Sequence, residues 1–317
     1  MPRTHDIDLQ AGERSPDYDE GSILFVGTAT TVIRYAGFTL LTDPNFLHAG
    51  DHAHLGYGMR SRRLTNPAVE IDDLPPLDAC LLSHLHGDHW DEVAARRLPK
   101  GLPILTTPHA ARGLRRQGFT RTVALDTWDA AELRKGDARL RVSAMPARHG
   151  PAVASALLPP VMGSMLEWSR AGQRPVFRAY VSGDTLVHED LRRIPERYPQ
   201  VDLGLFHLGG ARVLGVLVTL DAAQGVEAIR IIRPEVVIPI HYGDYPVFKS
   251  PLSDFMRAAR AAELPCVVEY LARGETWRFR VPAAALGRPR AAGPAIRPEE
   301  RQGAQGPRAE GPGRHLH

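Results

Sequence analysis

Two cysteines, Cys80 and Cys266, are the chain's whole supply of thiols, too few for a disulfide framework. Both fall in strand-like runs, so two buried thiols in a reducing cytoplasm are expected. No apolar stretch approaches the roughly 20 residues that a membrane-spanning helix needs. The first twenty residues have no apolar core, and no signal or transit peptide is expected. Strong charge of one sign is also missing, since the formal charge is only +3 over 317 residues. It is unevenly spread: residues 1–21 carry two arginines against six acidic residues, and residues 284–317 carry six arginines against three glutamates. The body between them is mildly basic and has no basic stripe, which argues against nucleic acid and for a small, anionic substrate. No internal repeat is visible.

Histidine, in contrast, is concentrated. The apolar run Ala79-Cys80-Leu81-Leu82 is followed by Ser83-His84-Leu85-His86-Gly87-Asp88-His89-Trp90. This pattern reads as a buried strand that delivers four potential metal ligands onto the loop at its end. Imidazole nitrogens and carboxylate oxygens are the donors that zinc and related divalent ions favour. Gly87 is expected to let the loop bend tightly. A solvated polar loop is the bland alternative, but three further strand ends also carry ligand-type residues. An alternating strand delivers His149, flanked by Gly150 and Pro151. Another ends in Ser182-Gly183-Asp184-Thr185, where Asp184 taken alone would suit a turn or helix cap equally well. A continuous apolar run over 236–240 delivers His241-Tyr242. His207 also ends a strand and is expected to line the pocket or stand behind the ligands.

Order is expected from residue 22, after a flexible acidic arm over 1–21. A meander of three short strands follows and stops at Thr42-Asp43-Pro44. The irregular stretch 45–76 holds Tyr57, Arg60, Arg62 and Arg63. It is either a flap whose tyrosine and arginines touch substrate or a solvated loop. Helical patterns follow over 90–97, 109–116, 222–232 and 253–262, interleaved with strands. His188 is expected in a helix, facing outward or pairing with Glu189 or Asp190. From residue 284 the composition turns to Ala, Gly, Pro and Arg, and a disordered tail to 317 is expected.

His84, His86, Asp88, His89, His149, Asp184 and His241 make five imidazoles and two carboxylates, more than one tetrahedral ion can use. Two ions sharing a bridging group consume the set economically. At this point residues 22–283 resemble the metallo-β-lactamase superfamily. The resemblance implies an α/β fold, a four-layer αβ/βα sandwich with the site at the edge of two sheets. It also implies that His84, His86 and His149 hold one ion, that Asp88, His89 and His241 hold a second, and that Asp184 bridges them. Asp43-Pro44 and Pro239-Ile240-His241-Tyr242 are similar to motifs of the branch with ascorbate-phosphate lactonases and the phospholipase D that acts on N-acyl phosphatidylethanolamine. Zinc β-lactamases lack the bridging aspartate, and flavodiiron oxidoreductases place Glu where His86 stands.

The activity implied is hydrolysis of an ester-type bond, lactone or phosphodiester, by a metal-bridging hydroxide. Zinc is the first choice of metal, with manganese and iron acceptable to the same donors. Asp88 is the expected catalytic residue, as ligand and proton shuttle. Tyr57, His207 and Tyr242 are the candidate substrate contacts, and Thr185 and Asp244 candidate supports. The rival readings are a catalytically silent, metal-stabilised binding or sensor protein, and an iron redox protein.

Overall fold

The computed structural model describes residues 2–11, 15–56, 58–151, 158–281 and 297–298. The strands in chain order are β1 (Thr4–Asp8), β2 (Glu20–Gly27), β3 (Thr30–Tyr35), β4 (Phe38–Thr42), β5 (His52–His54), β6 (Arg60–Arg62), β7 (Ala79–Leu82), β8 (Ile104–Thr106), β9 (Thr122–Ala124) and β10 (Ala130–Lys135). They continue as β11 (Ala138–Met145), β12 (Gly163–Arg170), β13 (Phe177–Val181), β14 (Val201–His207), β15 (Arg212–Val213), β16 (Val216–Leu217), β17 (Pro234–Ile240), β18 (Val267–Val268), β19 (Thr276–Arg280) and β20 (Arg297–Pro298). The helices are α1 (Glu92–Arg97), α2 (Pro108–Arg116), α3 (Arg193–Arg197), α4 (Ala222–Ile232) and α5 (Leu252–Ala261).

Two eight-stranded mixed sheets form, in the orders β1-β10-β11-β12-β13-β14-β17-β18 and β20-β19-β2-β3-β4-β7-β8-β9. Alternation along the strands sorts side chains to the two faces of each sheet. In the second sheet Ile23, Phe25, Ile33, Tyr35, Leu40 and Leu81 point one way and join Leu140, Val142, Leu166, Trp168 and Phe177 of the first. Tyr35 meets Trp168 edge-on at 5.6 Å, and Phe177 stacks on Phe279 at 4.7 Å, geometries that aromatic pairs favour. The opposite side of the second sheet, with Val32, Leu41, Cys80 and Leu82, packs on Ala94, Ala110 and Leu114 of α1 and α2. The outer face of the first sheet packs Met165, Tyr180, Phe206 and Val237 on Ile229, Ile232 and Phe255 of α4 and α5. Three apolar layers therefore separate helix, sheet, sheet and helix, and the fold is the four-layer αβ/βα sandwich. Among the described residues no helix is long and apolar enough to cross a membrane. Both cysteines are free.

The topology sets where the chemistry can sit. Strands β4 and β7 run parallel as neighbours, and so do β13, β14 and β17. Their C-terminal ends therefore emerge at one edge of each sheet, the place where open α/β sheets present ligand-binding loops. Local signals hold these loops. Asp91 caps α1 by accepting from the Ala94 amide and also accepts from the amides of Phe46 and Leu47. Thr107 and Asp221 cap α2 and α4 in the same way.

One expectation is overturned at the N-terminus. Within the 1–21 arm, Thr4–Asp8 form the edge strand β1, paired parallel with β10, and the Leu9 amide donates to the Arg134 carbonyl at 2.8 Å. Ile7 is buried under it, and the Arg3 guanidinium reaches Asp126 at 2.6 Å and Asp129 at 2.9 Å. Asp6 and Asp8 lie exposed along this edge strand, Asp6 paired with Arg134 at 2.7 Å, and charge at an edge discourages further pairing. Of the tail expected to be disordered, Arg297–Pro298 pair with Phe279 and Arg280; the rest of 284–317 lies outside the described residues. Hydrogen exchange tests the correction: the Leu9 amide should be protected on the minutes scale, whereas exchange at the unfolded-chain rate would restore the flexible arm.

Candidate metal centre

Each candidate ligand arrives at the end of a strand. Ser83 and His84 leave β7, His149 follows β11, Asp184 follows β13 and His241 follows β17. His241 adopts a left-handed backbone, φ 62°, which is uncommon for a residue with a side chain and marks a sharp exit from the strand. The loop after β7 is pressed against the hairpin β5–β6, where the Gly87 amide donates to the His54 carbonyl at 2.8 Å. A Cβ on Gly87 would lie 2.5 Å from the His54 amide nitrogen and 2.8 Å from its carbonyl oxygen. Gly87 is not in the left-handed region, so close backbone approach, not a tight bend, is what requires glycine here.

The structure brings all seven predicted side chains together, and all are buried. His84 Nε2 lies 3.0 Å from His86 Nδ1, and His149 Nε2 lies 3.3 Å from the same atom. On the other side, His241 Nε2 is 3.4 Å and His89 Nε2 3.9 Å from Asp88 Oδ2. Asp184 stands between the two groups. Its Oδ2 is 3.9 Å from His84, 4.0 Å from His149 and 3.3 Å from His89, and its Oδ1 is 3.4 Å from His241 Nδ1. His84, His86 and His149 thus form one triad of convergent donors, and Asp88, His89 and His241 another.

The far sides of three of the rings are tied down. His149 Nδ1 donates to the Val218 carbonyl at 2.9 Å, leaving Nε2 to face the cluster. Ser83 Oγ lies 3.0 Å from His84 Nδ1. Asp43 Oδ2 lies 3.2 Å from His89 Nδ1, and Asp43 Oδ1 accepts from the Ser83 amide at 2.7 Å. Outer partners of this kind fix the tautomer and aim the inner nitrogen.

These donors fit divalent ions. Asp88 Oδ1, His89 Nε2, Asp184 Oδ1 and His241 Nδ1 are buried with no hydrogen-bond partner. A buried polar atom left unpaired is costly and uncommon, and four of them converge here. The charge states suit the same role. Burial, with the neighbouring imidazoles, holds His84 well below the ordinary histidine range and brings His86 down to about 4. Burial also lowers His149. Neutral imidazole is the form that binds metal. Burial alone would raise the Asp184 carboxyl, but His241 and His89 beside it hold it well below the usual range. His89 is the exception: burial would lower it, yet Asp184, Asp88 and Asp43 together raise it well above the usual value.

Asp43, His89 and His207 form a further convergent group, one that no single stretch of sequence indicates. His207 is fully buried, stacked on the His89 ring at 5.7 Å between centroids, with Nδ1 3.0 Å from Ser182 Oγ and Nε2 3.4 Å from Asp43 Oδ2. It stands behind His89 and Asp43, in a supporting place. Burial alone would raise Asp43, but His89 and His207 bring it down to about 2. In the sequence Asp43 showed only as the residue before Pro44 at the end of the opening meander.

Two other substrate candidates fail or fall outside. Tyr242 turns away, its hydroxyl donating to the Leu271 carbonyl at 3.2 Å and its ring 6.0 Å from Phe25. Tyr57 lies outside the described residues, although neighbouring Gly56 would place a Cβ 3.9 Å from His86 Nε2. Of the loop arginines, Arg63 is fully buried beside Tyr245, while Arg60 and Arg62 point to solvent. Asp244 is a buried support: it accepts from the Thr28 amide, Thr65 and Arg273. Thr185 accepts from the Arg148 amide.

Gly87→Ala should destabilise the protein by about 1–3 kcal/mol, as an overpacked site does, and should lower the metal content of purified protein. Unchanged stability and metal content would contradict the backbone contact. The metal-free protein should also be acid-sensitive in a defined window. His84, His86, His149 and His207 are all lowered, burial being the first cause. In the unfolded chain they take up protons near pH 6.5, so stability falls as pH drops from about 6.5 toward 4. His89, raised, acts oppositely and loses its contribution as pH rises above 6.5, but it is one ring against four. Denaturant midpoints of chelated protein should be lower at pH 5 than at pH 7; equal or higher values at pH 5 would refute the buried neutral cluster.

Residues 38–242 match the family described as "Beta-lactamase superfamily domain". A UPF0173 metal-dependent hydrolase of Nanoarchaeum equitans is 25% identical over 212 residues, 66% of this chain and 89% of the relative. An isothiocyanate hydrolase from Delia radicum gut bacteria has the same fold, with TM-score 0.68 and 21% identity over 82% of this chain and 99% of the other. So does CmlA, a diiron β-hydroxylase from Streptomyces venezuelae, with TM-score 0.60 and 19% identity over 84% of this chain and 55% of the other. With more than half its length matched, the chain belongs to the β-lactamase superfamily.

Proposed function

We propose that this protein is a metal-dependent hydrolase that cleaves an ester-type bond, a lactone or phosphodiester, in a small molecule. The observation that carries the reading is the pair of buried triads flanking Asp184, with four buried donor atoms that make no hydrogen bond. His84, His86 and His149 would hold one divalent ion, Asp88, His89 and His241 a second, with Asp184 shared. Zinc suits these nitrogen and oxygen donors, as do manganese and iron. When bound, such ions supply a hydroxide nucleophile near neutral pH and polarise the oxygen of the electrophile.

The chain's own groups do the remainder. Asp88 Oδ2 faces His241 and His89, while Oδ1 is left free to orient the attacking water and receive its proton. Val218, Ser83 and Asp43 keep three rings in the tautomers that present nitrogen lone pairs inward. Burial of the whole cluster excludes bulk water and strengthens each electrostatic contact. The branch with ascorbate-phosphate lactonases and N-acyl phosphatidylethanolamine phospholipase D is supported by Asp43-Pro44 and by Pro239-Ile240-His241-Tyr242, and it makes lactones and phosphodiesters the first substrates to try.

The test is a panel of phosphodiesters, lactones and thioesters, with metal content measured on the same sample. His84→Ala and Asp184→Ala should each reduce turnover by about 100-fold or more, at least the loss seen for outer-shell partners, with an unchanged circular dichroism spectrum. Unaltered turnover in either purified variant would refute the assignment.

A further inference from the structure

A cavity of about 590 Å³ lies beside the strand end that carries His149, walled by Trp128, Arg148, His149, Pro160, His188 and Arg193. His149 belongs to both the cavity and the metal cluster. Of the two expectations for His188, facing outward fails, and Asp190 is a neighbour at 3.9 Å without a hydrogen bond. His188 precedes the 3-10 turn Glu189–Arg192 and is 8% exposed, and neither ring nitrogen has a hydrogen-bond partner. A buried imidazole with both nitrogens unsatisfied marks a place where a partner is missing.

The surrounding charges indicate which partner. Asp190 is already paired with Arg193 at 3.4 Å, and Arg193 lies over the Trp128 ring at 5.7 Å. Arg148 is locked by its backbone, its amide donating to Thr185 Oγ1 and its carbonyl accepting from Leu186, both at 2.9 Å. Among the described residues its guanidinium has no carboxylate partner. Burial and this neighbouring charge bring His188 down to about 4, so its ring is neutral and offers one N–H donor. A half-buried guanidinium beside a neutral imidazole donor matches an oxyanion, which takes the planar fork of arginine well. The indole and the prolines suit an apolar body attached to it.

We propose that this cavity is the subsite for an oxyanion group of the substrate, a carboxylate or a phosphate, with Arg148 as its charge partner and His188 as its hydrogen-bond donor. This rests on the hydrolytic reading above and narrows it to anionic small molecules whose scissile bond is presented to the cluster across His149.

Two measurements on metal-loaded protein test it. In the first, inorganic phosphate and acetate are titrated separately while tryptophan fluorescence is followed, with Trp128→Phe as the control that isolates Trp128. A saturable Trp128 response that is lost in Arg148→Met and in His188→Phe, and kept in part by Arg148→Lys, is expected. The ion that binds more tightly identifies the group. No saturable response, or one unchanged in Arg148→Met, overturns the subsite. In the second, hydrolysis of mono-4-nitrophenyl glutarate is compared with that of neutral 4-nitrophenyl butyrate. Arg148→Met should lower kcat/KM about 10- to 100-fold on the anionic ester alone, the scale of one charge-assisted contact; equal loss on both, or none on either, contradicts the proposal. If no ester is cleaved while the Arg148-dependent Trp128 response survives, the hydrolytic reading fails and the subsite stands. Cleavage without that response is the reverse.

Discussion

Seven imidazole and carboxylate groups, none more than 7% exposed, are held at the edge of two sheets with part of their hydrogen-bonding capacity unspent. Burying polar groups without partners opposes folding, so something else must hold them in place. The apolar layers between and outside the sheets do so, because they fix the strands whose ends carry the ligands. Every candidate ligand sits within about seven residues of the end of a strand whose register is set by cross-strand pairing, which is how a site acquires rigidity before any ion arrives.

Around this cluster, electrostatics separates the groups by role. The first triad is kept neutral by burial, and the carboxylates are kept ionised by the imidazoles beside them. His89 is drawn into the opposite state by three carboxylates. Asp43 belongs to this arrangement although it does not face the triads. It fixes His89, accepts from the Ser83 amide and is itself covered by His207. A chain of buried contacts thus runs from the end of β4 through the loop after β7 to the end of β14.

What could be read from the sequence was whatever is local. The run Ala79–Leu82 followed by histidines, the strand before His149 and the apolar run before His241 each signal a strand and its end within a few residues. The layered fold followed from the resemblance those ligands carry. What could not be read depends on contacts between distant segments. The Asp43–His207 contact joins residues 164 apart, and no local pattern announces it. Strand β1 is polar and short, and it exists only because β10 offers an edge. Gly87 carried the right residue for a different reason, since His54 presses on it from a separate hairpin. Tyr242 misled because the left-handed turn at His241 ends the alternation that would have aimed it inward.

Anomalous X-ray scattering from crystals of the zinc-loaded protein tests the central claim most directly. Two peaks are expected, one within the His84, His86 and His149 triad and one within Asp88, His89 and His241, both in contact with Asp184. A single peak, or density held by Asp43 and His207 in place of either triad, would contradict the dinuclear centre.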